Sequence, residues 1–370
     1  MNSFRVILIL ALAAGLIHFR SLSRTSDHNT QNVGGISIVA WDSATGDLGI
    51  IVESDIPAAG AFTAYAASPS GAILLLGNVN PRIGPDGLHL LEQGSLPRAV
   101  FDSLLRSDPD GETRQIALLD AHGDCYSFTG ARCLPYAGSI NGVGYCVQGN
   151  LLSGDQALSA VAIAFQTADG ELSDRLLKAL ESAHKTGGLK YTPRSASMLV
   201  VRDHGGYGGA NDRYIDLRVD DDPQPLARLR QIYSAYEPSY LFDARWRSID
   251  ALNQDQKFDN ARALLKRVVA SMNEELRIRP DDPQTLSRIA YALATHDVDR
   301  PRALELAQRA SKLAPTSAPI LNTLAECYFR LGRYDDAISV ESQLVAQDPA
   351  NVVYFNQLKK FRDAKDNPGH

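Results

Sequence analysis

The chain has 370 residues, too many for one ordinary core and enough for two domains. Hydrophobic residues at 44% and charged residues at 22% fit a soluble globular protein. A net charge of −6 without clustered Lys and Arg excludes a general nucleic-acid binder, whose phosphate contacts need such clusters.

Arg5 is followed by an apolar run of twelve residues from Val6 to Ile17. A membrane-spanning helix needs about 20 apolar residues. Residues 1–20 therefore read as a signal peptide, with Ala11, Ala13, Ala14 and Gly15 as small residues for cleavage. The expected location is exported, periplasmic or extracellular, without a stable membrane span; an uncleaved N-terminal anchor is the alternative. Residues 21–33 read as a polar linker. Export permits disulfides. Cys125 and Cys133 lie eight apart around a predicted turn and either pair or stand as two small buried thiols. Neither they nor Cys146 and Cys327 have metal-site spacing, and no metal or cofactor is expected.

The folded part opens on "ISIVAWD" and "LGIIVES", apolar runs rich in Ile and Val that flank "SATGD". Gly46 can take the positive φ of a tight turn, which predicts a β-hairpin. "GAILLLGN" predicts a third strand with both faces covered. "GLHLLEQG" and "LPRAVFDSLLRSD" have helical spacing: Pro97 suits a first turn, and Leu96, Val100 and Leu104 share a face. The pattern recurs with a strand pair over "RQIALLDAHGDCYSFTG" and a strand at "GYCVQGNLL". Helices follow over "SGDQALSAVAIAFQTA" and "ELSDRLLKALESAHKTG", then a hairpin of "SASMLVVRD" and "RYIDLRVDD" around "HGGYGGAN". Each sheet needs its outer face covered, so this order predicts an α+β fold of two stacked sheets between two helical layers.

Five motifs recur in order: "SIVAWD..TGDLGI", "NPRIGPDGLHLLEQG", "FTGARCLPYAG", "YCVQGNLL" and "GGYGGANDRYIDLRVDD". With them, residues 35 to about 230 resemble the family built on domain of unknown function 1028 (DUF1028), in the N-terminal-nucleophile (Ntn) hydrolase clan. The resemblance implies a four-layer αββα sandwich, in agreement with the element order, over a domain at residues 34–236.

The resemblance also implies a chemistry. In that clan a strand opens with Thr, Ser or Cys, whose free α-amine is the base for its own side chain. Such an amine has a reference pKa near about 7.7–8.0, and backbone N–H groups stabilise the oxyanion. The family opens this strand with "TFSIVA"; this chain reads "GISIVA", which puts Gly35 at the nucleophile position. The family's "SKF" reads "SDI", so Asp55 stands where a lysine is usual, and an anion there raises a nucleophile's pKa. Asp222 stands where the family has His. Ser37 is the nearest hydroxyl and would need cleavage after Ile36, whereas a serine two residues into a strand ordinarily points into a sheet interface.

Other polar residues supply candidate pocket positions: Glu53 and Ser54 at the end of the second strand, Asn78 and Asn80 after the third, and Gln148 and Asn150 in "VQGN". These are expected to converge at one end of the sheets, where clan pockets lie. Asn211 and Asp212 join them as candidates, although such residues in a glycine-rich loop also bond the loop's own backbone. That loop lacks "GK[ST]" and a strand-to-helix context, which excludes a phosphate cradle. His122, His184 and His204 are scattered and read as surface or turn residues.

Beyond "EPSYLFDARW" glycine nearly vanishes and helical periodicity dominates. The segment from Ser317 to Asn351 carries Leu324, Ala325 and Tyr328 on one face, a turn at Gly332, close packing at Ala337 and a stop at Pro349. This resembles a tetratricopeptide repeat of about 34 residues. The same spacing places Ala303 under Ala337 and Pro315 under Pro349. A first unit aligns Phe258 with Tyr334 and Ala261 with Ala337, and "NVVYFNQLKKFRDA" reads as a capping helix. Residues 240–370 thus form an all-α repeat domain, expected to dock a protein partner over about 250–366. The composition change at 237–240 predicts that the first domain folds without them.

Two functions remain. One is an exported body that lacks the usual nucleophile and binds a small ligand or a partner, with homo-oligomers allowed. The other is an active Ntn-type amidohydrolase or peptidase.

Overall fold

A computed structural model describes residues 32–106 and 108–367. The predicted signal peptide and the linker before Asn32 lie outside the described residues. Eleven strands run through the first part of the described chain: β1 (Asn32–Val33), β2 (Gly35–Asp42), β3 (Asp47–Ser54), β4 (Ala64–Ala67), β5 (Gly71–Asn78), β6 (Arg114–Asp120), β7 (Cys125–Thr129), β8 (Gly138–Gly142), β9 (Tyr145–Asn150), β10 (Ser195–Val201) and β11 (Arg213–Val219). One sheet has the order β1-β5-β6-β7, with β4 also pairing β5; the other has the order β11-β10-β3-β2-β9-β8. Gly46, at φ +77°, supplies the left-handed conformation of the β2–β3 turn.

Successive strand residues face opposite sides of a sheet, so each strand feeds two cores. Val39, Ile50, Val52, Leu74, Leu76 and Leu119 meet between the sheets. The short α1 (Gly60–Thr63) closes one edge of that layer. Ile73, Leu75, Ile116 and Leu118 face α2 (Ile83–Glu92) and α3 (Pro97–Leu105). Ile36, Ile38, Ile51 and Met198 face α4 (Gln156–Thr167), α5 (Leu172–His184) and α6 (Pro225–Tyr236). This is the four-layer αββα sandwich. Each fully buried Ile or Leu contributes about 1.5–3 kcal/mol. On α3 Val100 is buried, but Leu96 is 62% exposed because it precedes the helix in extended conformation.

α6 continues through a π-helical turn (Glu237–Leu241) into α7 (Phe242–Gln254), with no irregular linker between them. The junction from this turn into α7 has two buried faces. Leu241 and Ala244 join the helix-side core of the sandwich, whereas Phe242, Trp246 and Ile249 join the core of the helical region. That region continues with α8 (Phe258–Ile278), α9 (Pro283–Thr295), α10 (Arg300–Leu313), α11 (Ala318–Arg330), α12 (Tyr334–Gln347) and α13 (Val352–Asp366). Ala303 and Ala337 are both fully buried, as close helix packing in successive repeats requires. Gly332 ends α11 at φ +73°. α8 has 21 residues against 14 in α12, so Ala261 stands 76 residues before Ala337 rather than about two repeats of 34. Phe361 on α13 seals the end of the array.

Glu341 on α12 is fully buried, and neither carboxylate oxygen has a partner. Neighbouring Glu326 takes the nearby cations, Arg330 at 2.8 Å and Lys360 at 2.9 Å. Burial, reinforced by Glu326, pushes the Glu341 carboxyl up to about 7. The folded chain therefore keeps a proton that the unfolded chain releases near about pH 4.3, and stability falls as pH rises through that window. Glu341→Gln is expected to stabilise the repeats by about 2–3 kcal/mol near pH 8 and by little near pH 4. Urea denaturation at both pH values checks this, and an equal effect at both would sink it.

Of the two readings of Cys125 and Cys133, the structure follows the second: both are free thiols, Cys133 buried and Cys125 half-buried. Cys125 on β7 and Cys146 on β9 bring one thiol from each sheet into the same neighbourhood. Their proximity lowers the Cys125 thiol and raises Cys146, which is also buried. Cys125 Sγ donates to Tyr145 O at 3.2 Å. Cys133 is turned elsewhere, against Arg114 O at 3.3 Å, because its loop returns to β6 rather than to β7. Treated with a small-molecule disulfide, the chain is expected to form a Cys125–Cys146 link, visible in non-reducing peptide maps. Recovery of a Cys125–Cys133 peptide would contradict this.

Candidate functional site

The antiparallel register sets Gly35 opposite both Ser54 and Asn150. Strand alternation then turns Ser37, Ser54, Gln148 and Asn150 toward the other sheet, where Asn78 ends β5. All five are buried. Ser37 Oγ donates to Gln148 O at 3.3 Å, and Gln148 Nε2 crosses the sheets to Leu74 O at 3.3 Å. Asn150 Nδ2 donates to Val33 O and to Gln115 Oε1, both at 3.1 Å. Gln115, fully buried on β6, holds the sheets together here by donating to Gly149 O at 2.9 Å. Its signal was an amide on the inward face of "RQIALLD", in step with Ala117 and Leu119. The amide oxygens of Asn78, Gln148 and Asn150 have no partner, so this end of the inter-sheet layer offers buried acceptors.

The nucleophile position stands inside this cluster, and the chain before it is anchored. Asn32 and Val33 pair with Asn78 and Gly77 of β5, in the sheet opposite β2. Gly34 makes the crossing, its carbonyl accepting from Ser54 Oγ at 2.7 Å and from the Asp55 amide at 3.3 Å. The nitrogen of Gly35 is thus a peptide amide in mid-chain. A Cβ at residue 35 would stand 2.4 Å from Glu53 O, and one at Gly34 would stand 2.8 Å from Asp55 Oδ2. Burial holds the Asp55 carboxyl above its ordinary range, against hydrogen bonds around Gly34 and Ser54 that pull it down.

Several expected residues lie elsewhere. Glu53 is in step with Ile51, so it points away from the inter-sheet cluster toward the helices. Asn80 accepts from the Arg82 amide at 3.2 Å at the start of α2. Asn211 and Asp212 sit at the opposite end of the six-stranded sheet, where Val201 pairs with Leu48 and Arg213. Asn211 accepts from the Arg213 amide at 2.9 Å, and Asp212 fixes Ser68 N at 2.9 Å. His184 is no mere surface residue. Its Nε2 lies 2.8 Å from Glu53 Oε2, and that pairing raises the imidazole above its usual pKa. Its spacing of four from the buried Leu180 placed it at the edge of the apolar stripe of α5. Tyr191 belongs to the same neighbourhood: burial, then Glu53 and Asp55, push its phenol well up.

Residues 35–229 match the model of a "Family of unknown function (DUF1028)", and residues 299–360 match a tetratricopeptide repeat. A search of curated proteins found no match. Among solved structures, the crystal structure of protein SPO2555 from Silicibacter pomeroyi, which carries the DUF1028 model, is 27% identical with a TM-score of 0.51. The alignment covers 58% of this chain and 89% of that one. The family match takes in more than half of the chain and every strand from β2 to β11, including the strand ends that meet around Gly35; this chain belongs to the DUF1028 family.

Proposed function

We propose that this chain is an exported DUF1028 protein that has kept the Ntn-hydrolase-like body without its self-activated nucleophile and that works by binding. Position 35 carries the reading. It is a glycine, its nitrogen is acylated, and the space a side chain would need holds the Glu53 carbonyl. The repeats are the surface for a protein partner, since tetratricopeptide repeats commonly mediate protein interactions. Export rests on the short apolar run at residues 6–17. The amide-hydrolase reading keeps one support, the buried acceptor cluster with the Ser37 hydroxyl beside it.

Purified from cells that make it naturally, the protein is expected to begin between about residues 15 and 25. It is also expected to stay unlabelled by a β-lactone probe. A mature start at Ser37, or probe attached there, would overturn the binding reading in favour of catalysis.

A further inference from the structure

The outer side of the six-stranded sheet holds a cavity unrelated to the inter-sheet cluster. Its volume is about 420 Å³, and it lies where β3 ends, beneath the last turn of α5 and the start of α6. Pro193, Pro223, Pro225 and Leu226 make its walls apolar. Glu53 forms the floor, with its side chain 0% exposed. Oε2 lies 2.8 Å from His184 Nε2 as an ion pair, and neither oxygen has an aligned hydrogen-bond donor. A buried carboxylate without such a donor is costly, and the cost falls when one reaches it.

The surrounding charges leave that need unmet. Glu181, on α5 at the rim, is held by Arg230 of α6 through contacts of 2.8 and 2.9 Å, so this guanidinium is engaged. Tyr191 and Asp55 near Glu53 bring no positive charge, and Arg194, which meets the end of β3 through its backbone, is held by Asp221 at 2.8 Å. The positive charge among the lining residues comes from His184 alone, whose side chain is 41% exposed.

We propose that this cavity binds a small organic cation, a primary ammonium on a short apolar body, with Glu53 as its counter-ion. An ammonium brings three donors and a full charge to the carboxylate, while the proline walls take its methylenes. His184 is then the displaceable occupant. Neutral imidazole gives up the carboxylate more readily than imidazolium does. The site goes beyond repeat-mediated binding and stands whether or not residue 35 reacts.

The test titrates the full chain with n-butylammonium, and with n-butanol as the uncharged isostere, by ligand-observed NMR. Saturable binding of the ammonium that butanol does not match is expected. Affinity should rise with pH through the His184 titration, below the ammonium's own pKa of about 10.4. Glu53→Gln should weaken binding about ten-fold or more, the loss of a hydrogen bond to a charged group. His184→Ala should tighten binding and flatten its pH dependence. Ala227→Trp, at an exposed lining position, should block entry and serves if Glu53→Gln does not fold. Equal binding of butanol, no saturation in the millimolar range, or unchanged affinity in folded Glu53→Gln or in Ala227→Trp would overturn the proposal.

Discussion

Arg245→Leu is expected to cost about 3–5 kcal/mol, because it strands a buried carboxylate. Arg245 on α7 is 4% exposed, as is Glu171 at the start of α5, and Nε donates to Glu171 Oε1 at 2.8 Å. Its Nη2 reaches Glu237 Oε1 at 2.7 Å, and the Tyr214 hydroxyl donates to Glu171 Oε2 at 2.9 Å. Burial alone would raise the Glu171 carboxyl. Arg245 and Arg202 outweigh it and hold the carboxyl below its ordinary range. A depressed carboxyl contributes stability at neutral pH that is lost as pH falls through its folded value. The deficit of the variant should therefore be full near neutrality and shrink below about pH 4. Denaturant titrations at several pH values read this directly, and a loss under about 1 kcal/mol at pH 7 would show the pair to be dispensable.

The same contacts alter the expectation for a truncated chain. Ending at Tyr236 removes Arg245 together with Leu241 and Ala244, which the sandwich core uses. A fragment of residues 34–236 is expected to be poorly soluble, and one extended through α7 to expose Phe242 and Trp246.

Gly35→Thr is expected to destabilise the protein and to gain no amidase activity. The new Cβ would stand 2.4 Å from Glu53 O, a backbone atom that moves only with β3. Overpacking of this kind costs about 1–3 kcal/mol. The threonine would also lack a free amine, since Val33 and Asn32 remain paired with β5. Producing the variant with residue 35 as its first residue, and with Asp55→Lys, supplies the free amine and removes the nearby anion, although the crowding against Glu53 O remains. It also takes away the Val33 carbonyl that satisfies Asn150. That form has the best chance of reacting with a β-lactone, whereas Ser37→Ala should leave wild-type behaviour unchanged. Turnover by full-length Gly35→Thr, or its abolition in wild type by Ser37→Ala, would refute the assignment.

Much was legible in the residues themselves. Near-continuous apolar runs in "ISIVAWD" and "LGIIVES" mark strands with two buried faces, and the 34-residue spacing of Ala303 and Ala337 marks helix pairs. Both are local patterns, written wherever side chains must be buried on a regular backbone. Gly35 itself was plain, because an absent side chain can be read without coordinates. Strands β1, β4 and β8 escaped notice: they are short, or built from Ala, Gly, Ser and Asn, and hold their place through partners rather than propensity. Long-range neighbours were settled only by the tertiary structure. Cys125 finds Cys146 rather than Cys133, Gln115 finds Asn150, Glu53 turns to His184, and Arg245 reaches Glu171. Spacing along a chain says which residues share a face of one element. Which faces then meet depends on sheet register and on how helices lie across them, and those follow from the packing of the whole core.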